Sequence, residues 1–395
     1  MTITVTGNLI QSGGTMIING GTLDVQGDYR LQKEIVNGEA VTYSSSTGYL
    51  IMTDSNDRVN VGGDFVTGSV NDHSGKLTNG IMTVKGNFLQ VKTNTENNFY
   101  ASGNHRMIFN GTEKQQISMA SSKYNNSHFV NVDFANTSQD GIDLSGEVTV
   151  TGNISNSGSD ISGFIYLYST ATIVGNNISA DVEFSNGYTF TNDTVITGDV
   201  KTKGKLDLVG HSVTVNDLLC QNSEVNINNG TLICNGSLIV NSTSYYTAYL
   251  KMTNGNDHVI VDGDFISQNY NTNQSVMTAG TLEIKGDFIQ RSGISGTNDQ
   301  NFSASGTHKT IFNGTSPQTI TFSSPKSYFN IVELNNTSAG GVTVTDSFNH
   351  SELIITSGSI TLADGSTVGE KLTADKTVGD LYLGAGTYDL DGHKL

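Results

Sequence analysis

Four aspartates share one setting. Asp28, Asp64, Asp264 and Asp287 each follow a glycine and precede Tyr29, Phe65, Phe265 or Phe288. A carboxylate could serve as an acid, a base or a cation ligand. A catalytic carboxylate is normally needed once, however, and four recurrences point to turn chemistry with the aromatic ring stacked in the core. Asp54-Ser-Asn-Asp57 and Asn254-Gly-Asn-Asp257 offer clustered oxygens of the kind hard cations prefer. Their spacing is neither that of an EF-hand loop nor that of the calcium β-roll nonapeptide, and Asx turns account for the same residues. His105 and His308 stand before matching Ile-Phe-Asn-Gly-Thr runs. Acid–base or metal chemistry would need partners close by, and no Cys/His pair or His-x-His spacing is near, which favours structural or surface histidines. His211 and His393 follow glycines and read as corner residues. Tyr245, Tyr246 and Tyr249, with Asn241, form an aromatic and amide patch that would suit a sugar, although tyrosines also pack along strands. Asn136-Thr-Ser and Asn336-Thr-Ser are glycan acceptor triplets only in a eukaryotic secretory route. Cys220 and Cys234 read as two buried thiols, with a disulfide between adjacent turns open if the chain is secreted. These residues nominate no catalytic group, no cofactor and no metal.

The elements that carry them are short. In Gly280-Thr-Leu-Glu-Ile-Lys-Gly-Asp-Phe-Ile-Gln290, Leu282 and Ile284 alternate with polar neighbours, Gly286-Asp287 marks a corner, and Phe288 resumes the apolar face. Alternation over a few residues predicts a half-buried strand, and glycine permits the sharp corner. The unit recurs at 21–29, 82–90 and 259–265. A strand–corner–strand unit this small cannot bury its own apolar face, but a stack of copies can. Glu113 to Tyr124 is the best helical candidate; its counterpart contains Pro317, Pro325 and the β-type run 319–322, so both are expected to be strand and loop.

A longer period lies above the short one. Tyr49–Val59 matches Tyr249–Val259, the 101–112 stretch matches 304–315, Phe129–Ser138 matches Phe329–Ser338, and Asp207–His211 matches Asp389–His393. The order is collinear and predicts two homologous blocks, 1–211 and 212–395. Residues after His211 resemble those after Met1, so a third block would continue naturally from Leu395. The chain is therefore expected to be an excerpt of a longer tandem array, with Met1 added at its start. Each block also carries polar excursions, Lys33 to Ser46 and the shorter Asn241 to Thr247 among them.

Composition narrows the partners. Charged residues make up 14% of the chain, well under the roughly 25% of an average globular protein. Glycine is abundant at 45 residues and proline scarce at 2, which suits sheets whose backbone groups nearly all pair. The net charge of −17 disfavours nucleic acid and anionic lipid. No apolar window is long enough for a membrane-spanning helix, and the first residues lack the basic and apolar regions of a signal peptide.

The strand and glycine-corner style over nearly the whole chain resembles the repetitive parallel β-helix regions of large bacterial surface proteins, such as filamentous haemagglutinin-like adhesins. The resemblance implies a right-handed parallel β-helix and an extracellular or surface stalk. Its partners would be neighbouring repeat blocks, end to end, and host or cell-surface glycans. The competing classes are a lectin-like glycan binder on the same fold, and a polysaccharide lyase or hydrolase. The last would need clustered carboxylates and, for a lyase, a basic residue in one groove.

Overall fold

A computed structural model describes residues 1–395 apart from 169, 176, 244, 245, 247, 270–274, 292–299, 325, 363–366, 369–379 and 384–395, with backbone alone at 347, 367, 368 and 380–383. The chain divides into two compact units, Met1–Ser185 and Asn186–Leu395. The sequence blocks meet at 211/212, so residues 186–211 belong by sequence to the first block and by contact to the second unit. Among the described residues both units are all-β and built from parallel strands, a solenoid-like arrangement.

In the first unit each turn of chain visits three ladders in order. Thr2–Val5 lies in the first ladder, Leu9–Ile10 in the second and Thr15–Ile17 in the third; Thr22–Val25 then returns to pair with Thr2–Val5 in parallel. The first ladder continues through Arg58–Val61, Ile81–Val84, Arg106–Phe109 and Asn131–Phe134, each in register with the one before. The second unit repeats the plan, with Ser212–Val215, Thr231–Cys234, His258–Val261, Thr281–Ile284 and Lys309–Phe312 in its first ladder. Helix-length segments are excluded by the short alternation of these stretches. Gln115–Met119 and Gln318–Phe322, in the one region with a helical candidate, are strands.

Register puts like on like. Val25, Val61, Val84, Phe109 and Phe134 form one buried column of the first unit. Tyr29, Phe65 and Phe88 form another, with ring centroids 5.4 and 5.6 Å apart. The aromatic after each Gly-Asp or Gly-Asn corner thus belongs to the core. Because strand side chains alternate faces, a one-residue slip would turn every such column outward, which is why the register holds over many turns.

The excursion from Lys33 to Ser46 is an antiparallel hairpin, Tyr29–Asn37 with Ala40–Ser45. The two-residue loop is Gly38-Glu39, between the paired Asn37 and Ala40, and glycine at its first position, with a positive φ of 64°, is a two-residue hairpin signal. The signal was present in the sequence within a stretch that otherwise reads as polar loop.

Candidate functional site

The Gly-Asp corners are joined from turn to turn. Asp64 donates its backbone N–H to Asp28 Oδ1 at 2.9 Å, Asn87 donates to Asp64 Oδ1 at 2.8 Å, and Gln116 donates to Asn87 Oδ1 at 2.7 Å. The second unit carries the same relay: Ser237 donates to Asp217 Oδ1 at 2.6 Å, Asp264 to Ser237 Oγ at 3.2 Å, Asp287 to Asp264 Oδ1 at 2.8 Å, and Thr319 to Asp287 Oδ1 at 2.7 Å. The recurring aspartates do not cap their own turns; each accepts a hydrogen bond from the corner stacked on it. Ionised acceptors make such bonds stronger than neutral ones.

The glycines beside them are required by close approach. Gly86 donates its N–H to the Gly63 carbonyl at 3.0 Å, and Gly286 does the same to Gly263. A Cβ on Gly86 would lie 2.5 Å from the Gly63 carbonyl and 2.7 Å from Asp64 Oδ1; on Gly286 the carbonyl distance is 2.4 Å. Backbone cannot yield as a side chain can. Gly86→Ala and Gly286→Ala are therefore expected to cost about 1–3 kcal/mol or more, measured by urea unfolding followed by circular dichroism. Gly255→Ala, with nothing within 4 Å of its added methyl, is the control. Equal stabilities for all three would refute the corner account.

The oxygen-rich loops are turn caps. Asp57 is buried, and its carboxylate accepts three backbone N–H groups: Gly20 at 2.6 Å, Thr53 at 2.8 Å and Asp54 at 3.0 Å. Asp257 accepts Asn229, Thr253 and Asn254 at 2.6, 2.7 and 2.9 Å. Among the described residues no group of three or more His, Cys, Asp or Glu is placed to hold a metal ion.

The buried amides of Gln115, Gln318, Asn136 and Asn336 are fully engaged. Gln115 Nε2 donates to the carbonyls of Val84 and Gly86, while its Oε1 accepts Gly111 N and Asn136 Nδ2. Gln318 makes the same four bonds, to Ile284, Gly286, Gly314 and Asn336. Asn136 and Asn336 are thus buried with both amide hydrogens used inside the fold, so neither triplet offers a nitrogen to a glycan. Gln90 and Asn98 lock the loop after Gln90 in the same manner, Gln90 Nε2 donating to Asn98 Oδ1 at 2.6 Å and Asn98 Nδ2 to the Val91 carbonyl at 2.9 Å. Sequence pattern did not single out Gln90, Gln115 or Gln318, because a lone Gln in a strand carries no local signal of burial.

His105 and His308 are wholly buried, and neither ring nitrogen of either residue has a protein partner. Burial pushes His105 down to about 4 and His308 to about 3. Both are neutral core residues. His211 follows the turn at Val209-Gly210 and donates its N–H to the Leu208 carbonyl, a corner residue as expected; His393 lies outside the described residues. Cys220 and Cys234 are free, buried thiols; burial raises Cys220 to about 11 and moves Cys234 in the same direction. Tyr246 is 66% exposed, Tyr249 sits on the strand Tyr249–Lys251, and Tyr245 lies outside the described residues.

One open groove of about 680 Å³ crosses the outer face of the first ladder in the first unit, lined by Asp24, Asn60, Thr83, Lys85 and Asn110. No aromatic side chain lines it. No helix among the described residues is long and apolar enough to cross a membrane. No known family model, curated protein or solved structure matches the chain.

Proposed function

We propose that this chain is a structural repeat module of a bacterial cell-surface or secreted stalk or adhesin: a right-handed parallel β-helix whose two blocks stack into one stiff rod, extendable by further blocks. The observation that carries the proposal is the corner relay. The conspicuous aspartates Asp28, Asp64, Asp264 and Asp287, with the glycines beside them, recur on stacked turns of both units and are spent on holding one turn to the next. A chemistry that repeats from turn to turn serves length, because each added turn brings its own backbone ladder. An extracellular setting fits that role, since a stalk holds a separate tip away from the surface that bears it.

Small-angle X-ray scattering on the monomeric fraction tests the rod. At about 4.8 Å per turn, the expected particle is elongated, on the order of 80–90 Å. A compact or two-lobed profile would overturn the continuous rod.

A further inference from the structure

The outer face of the first ladder is built once in each unit, and the two copies differ in their acids. In the second unit a lysine and an amide are both matched. Lys285 Nζ lies 2.6 Å from Asp262 Oδ1. Asn313 Nδ2 donates to Glu283 Oε2 at 2.7 Å, and Glu283 Oε1 lies 2.7 Å from His258 Nε2. Sequence and register give the counterparts in the first unit: Lys85 for Lys285, Asn110 for Asn313, Gly62 for Asp262 and Thr83 for Glu283. The lysine and the amide are kept, and both acids are replaced. Among the described residues Lys85 has no ion-pair partner and the Asn110 side chain has no hydrogen-bond partner, its Oδ1 being buried without one.

Both side chains line the open groove of about 680 Å³, together with Asp24, Gln26, Asn60 and Thr83. Lys85 and Asn110 follow the paired Val84 and Phe109, so they stand on neighbouring strands about 4.8 Å apart along the stack. Asp24 lies two strands from Thr83, about 10 Å away. In the second unit Ile233 and Ile260 stand where this groove has Asp24 and Asn60. We propose that the groove is a binding site for a hydroxylated carboxylate, the chemistry of a uronic acid. The ligand's carboxylate takes the place that the Glu283 carboxylate fills in the second unit. There it accepts hydrogen bonds from Lys85 Nζ, Asn110 Nδ2 and the Thr83 hydroxyl, the lysine bond being of the stronger, charge-assisted class. Asn60, Gln26 and Asp24 are left for the ligand's hydroxyls, and Asp24 accepts from a hydroxyl where it would repel a second carboxylate. No aromatic ring lines the groove, so charge and hydrogen bonds carry the affinity. On a chain of net charge −17 most of the surface repels an anion. A lysine without an acid partner is attractive within the roughly 8–10 Å over which salt leaves charges visible to one another.

Saturation-transfer NMR on the full chain tests the site, with sodium glucuronate as the probe and glucose as its uncharged match. Glucuronate is expected to bind about tenfold or more tighter than glucose. Lys85→Gln removes the charge at nearly the same length and is expected to weaken glucuronate binding by about tenfold or more. Thr83→Glu puts back the acid that the second unit carries at this place and is expected to abolish binding. Lys285→Gln should leave binding unchanged, because Lys285 is already held by Asp262. All three positions lie on the outer face, so the circular dichroism spectrum should not change. Equal binding of glucose and glucuronate would overturn the proposal. So would glucuronate binding that survives Lys85→Gln and Thr83→Glu, or a parent chain that gives no transfer to glucuronate. The groove lies within one unit, so these outcomes leave the rod to be decided by scattering.

Discussion

Replacing Phe288 by alanine is expected to cost about 3–5 kcal/mol, a large share of the roughly 5–15 kcal/mol that holds a typical domain folded. Phe288 is fully buried, and its ring centroid lies 5.6 Å from Phe265, 4.8 Å from Phe302, 4.9 Å from Phe322 and 4.9 Å from Phe329. These partners come from successive turns, so one truncation opens a cavity that several turns share. The surroundings cannot collapse into it, because each turn is pinned by its backbone ladder and corner bond. Phe88 occupies the matching place in the first unit, with Phe65, Phe99, Phe109 and Phe129 around it. Leu89, one residue on, points the other way and is 39% exposed; Leu89→Ala should cost well under 1 kcal/mol by contrast. Because stability in stacked repeats is held largely between neighbours, hydrogen exchange should rise around 265–329 in Phe288→Ala while the turns from 22 to 134 keep their protection. Similar losses for Phe88→Ala and Leu89→Ala would refute the inward register. The chain has no tryptophan, so circular dichroism is the practical probe.

What the sequence made legible was the strand alternation and the corner that follows it, though not the hairpin within Lys33 to Ser46. Alternation at Leu282 and Ile284 is enough to place strand Thr281–Ile284 with those two side chains inward, and the recurrent aromatic after the corner is enough to place Phe288 in the core. The corner aspartates were legible as structural from their recurrence. Their partners were not, since the N–H that Asp64 accepts lies 23 residues further along the chain at Asn87, and the one Asp28 accepts lies 36 away at Asp64. Turn length varies with each excursion, so no fixed spacing announces the pairing. Gly86 shows the same limit. A glycine at a corner suggests an unusual φ, whereas here it is the carbonyl of Gly63, 23 residues earlier, that leaves no room for a Cβ. The Asp54–Asp57 loop illustrates the converse: clustered oxygens suggest a cation locally, but the N–H of Gly20, far back in the chain, together with Thr53 and Asp54, already supplies the positive partners the buried carboxylate needs.

Acid is expected to destabilise the fold before its carboxylates begin to protonate, and His105 and His308 are the main reason, with a smaller part from the buried His73 and His128. In the unfolded chain an imidazole titrates near about 6.5. In the folded chain burial holds His105 at about 4 and His308 at about 3, with no carboxylate nearby to offset it. Between those values the unfolded state binds the more protons, so stability is complete above about pH 6.5 and falls as the pH drops. Each tenfold rise in proton activity withdraws about 1.4 kcal/mol per histidine, and His105 alone forfeits on the order of 3 kcal/mol by about pH 4. Asp72, Asp207 and Glu333 are held below the ordinary carboxylate range: burial pushes each upward, and their hydrogen-bond and charge partners outweigh it. Their contribution is present above the unfolded carboxylate range and is lost only below it, so the carboxylate loss begins where much of the histidine loss has already occurred. His105→Leu with His308→Leu should make the fall of the unfolding midpoint between about pH 6.5 and 4.5 markedly shallower, the remainder coming from His73 and His128, which burial also holds below the ordinary imidazole range. At neutral pH the double variant should be no less stable than the parent, since it removes buried ring nitrogens that have no protein partner. Urea midpoints by circular dichroism across that range decide the matter. A parent chain whose midpoint is flat down to about pH 4.5 would mean that the two rings are protonated within the fold. They would then need charge partners that the buried surroundings of Phe99 and its neighbours do not supply.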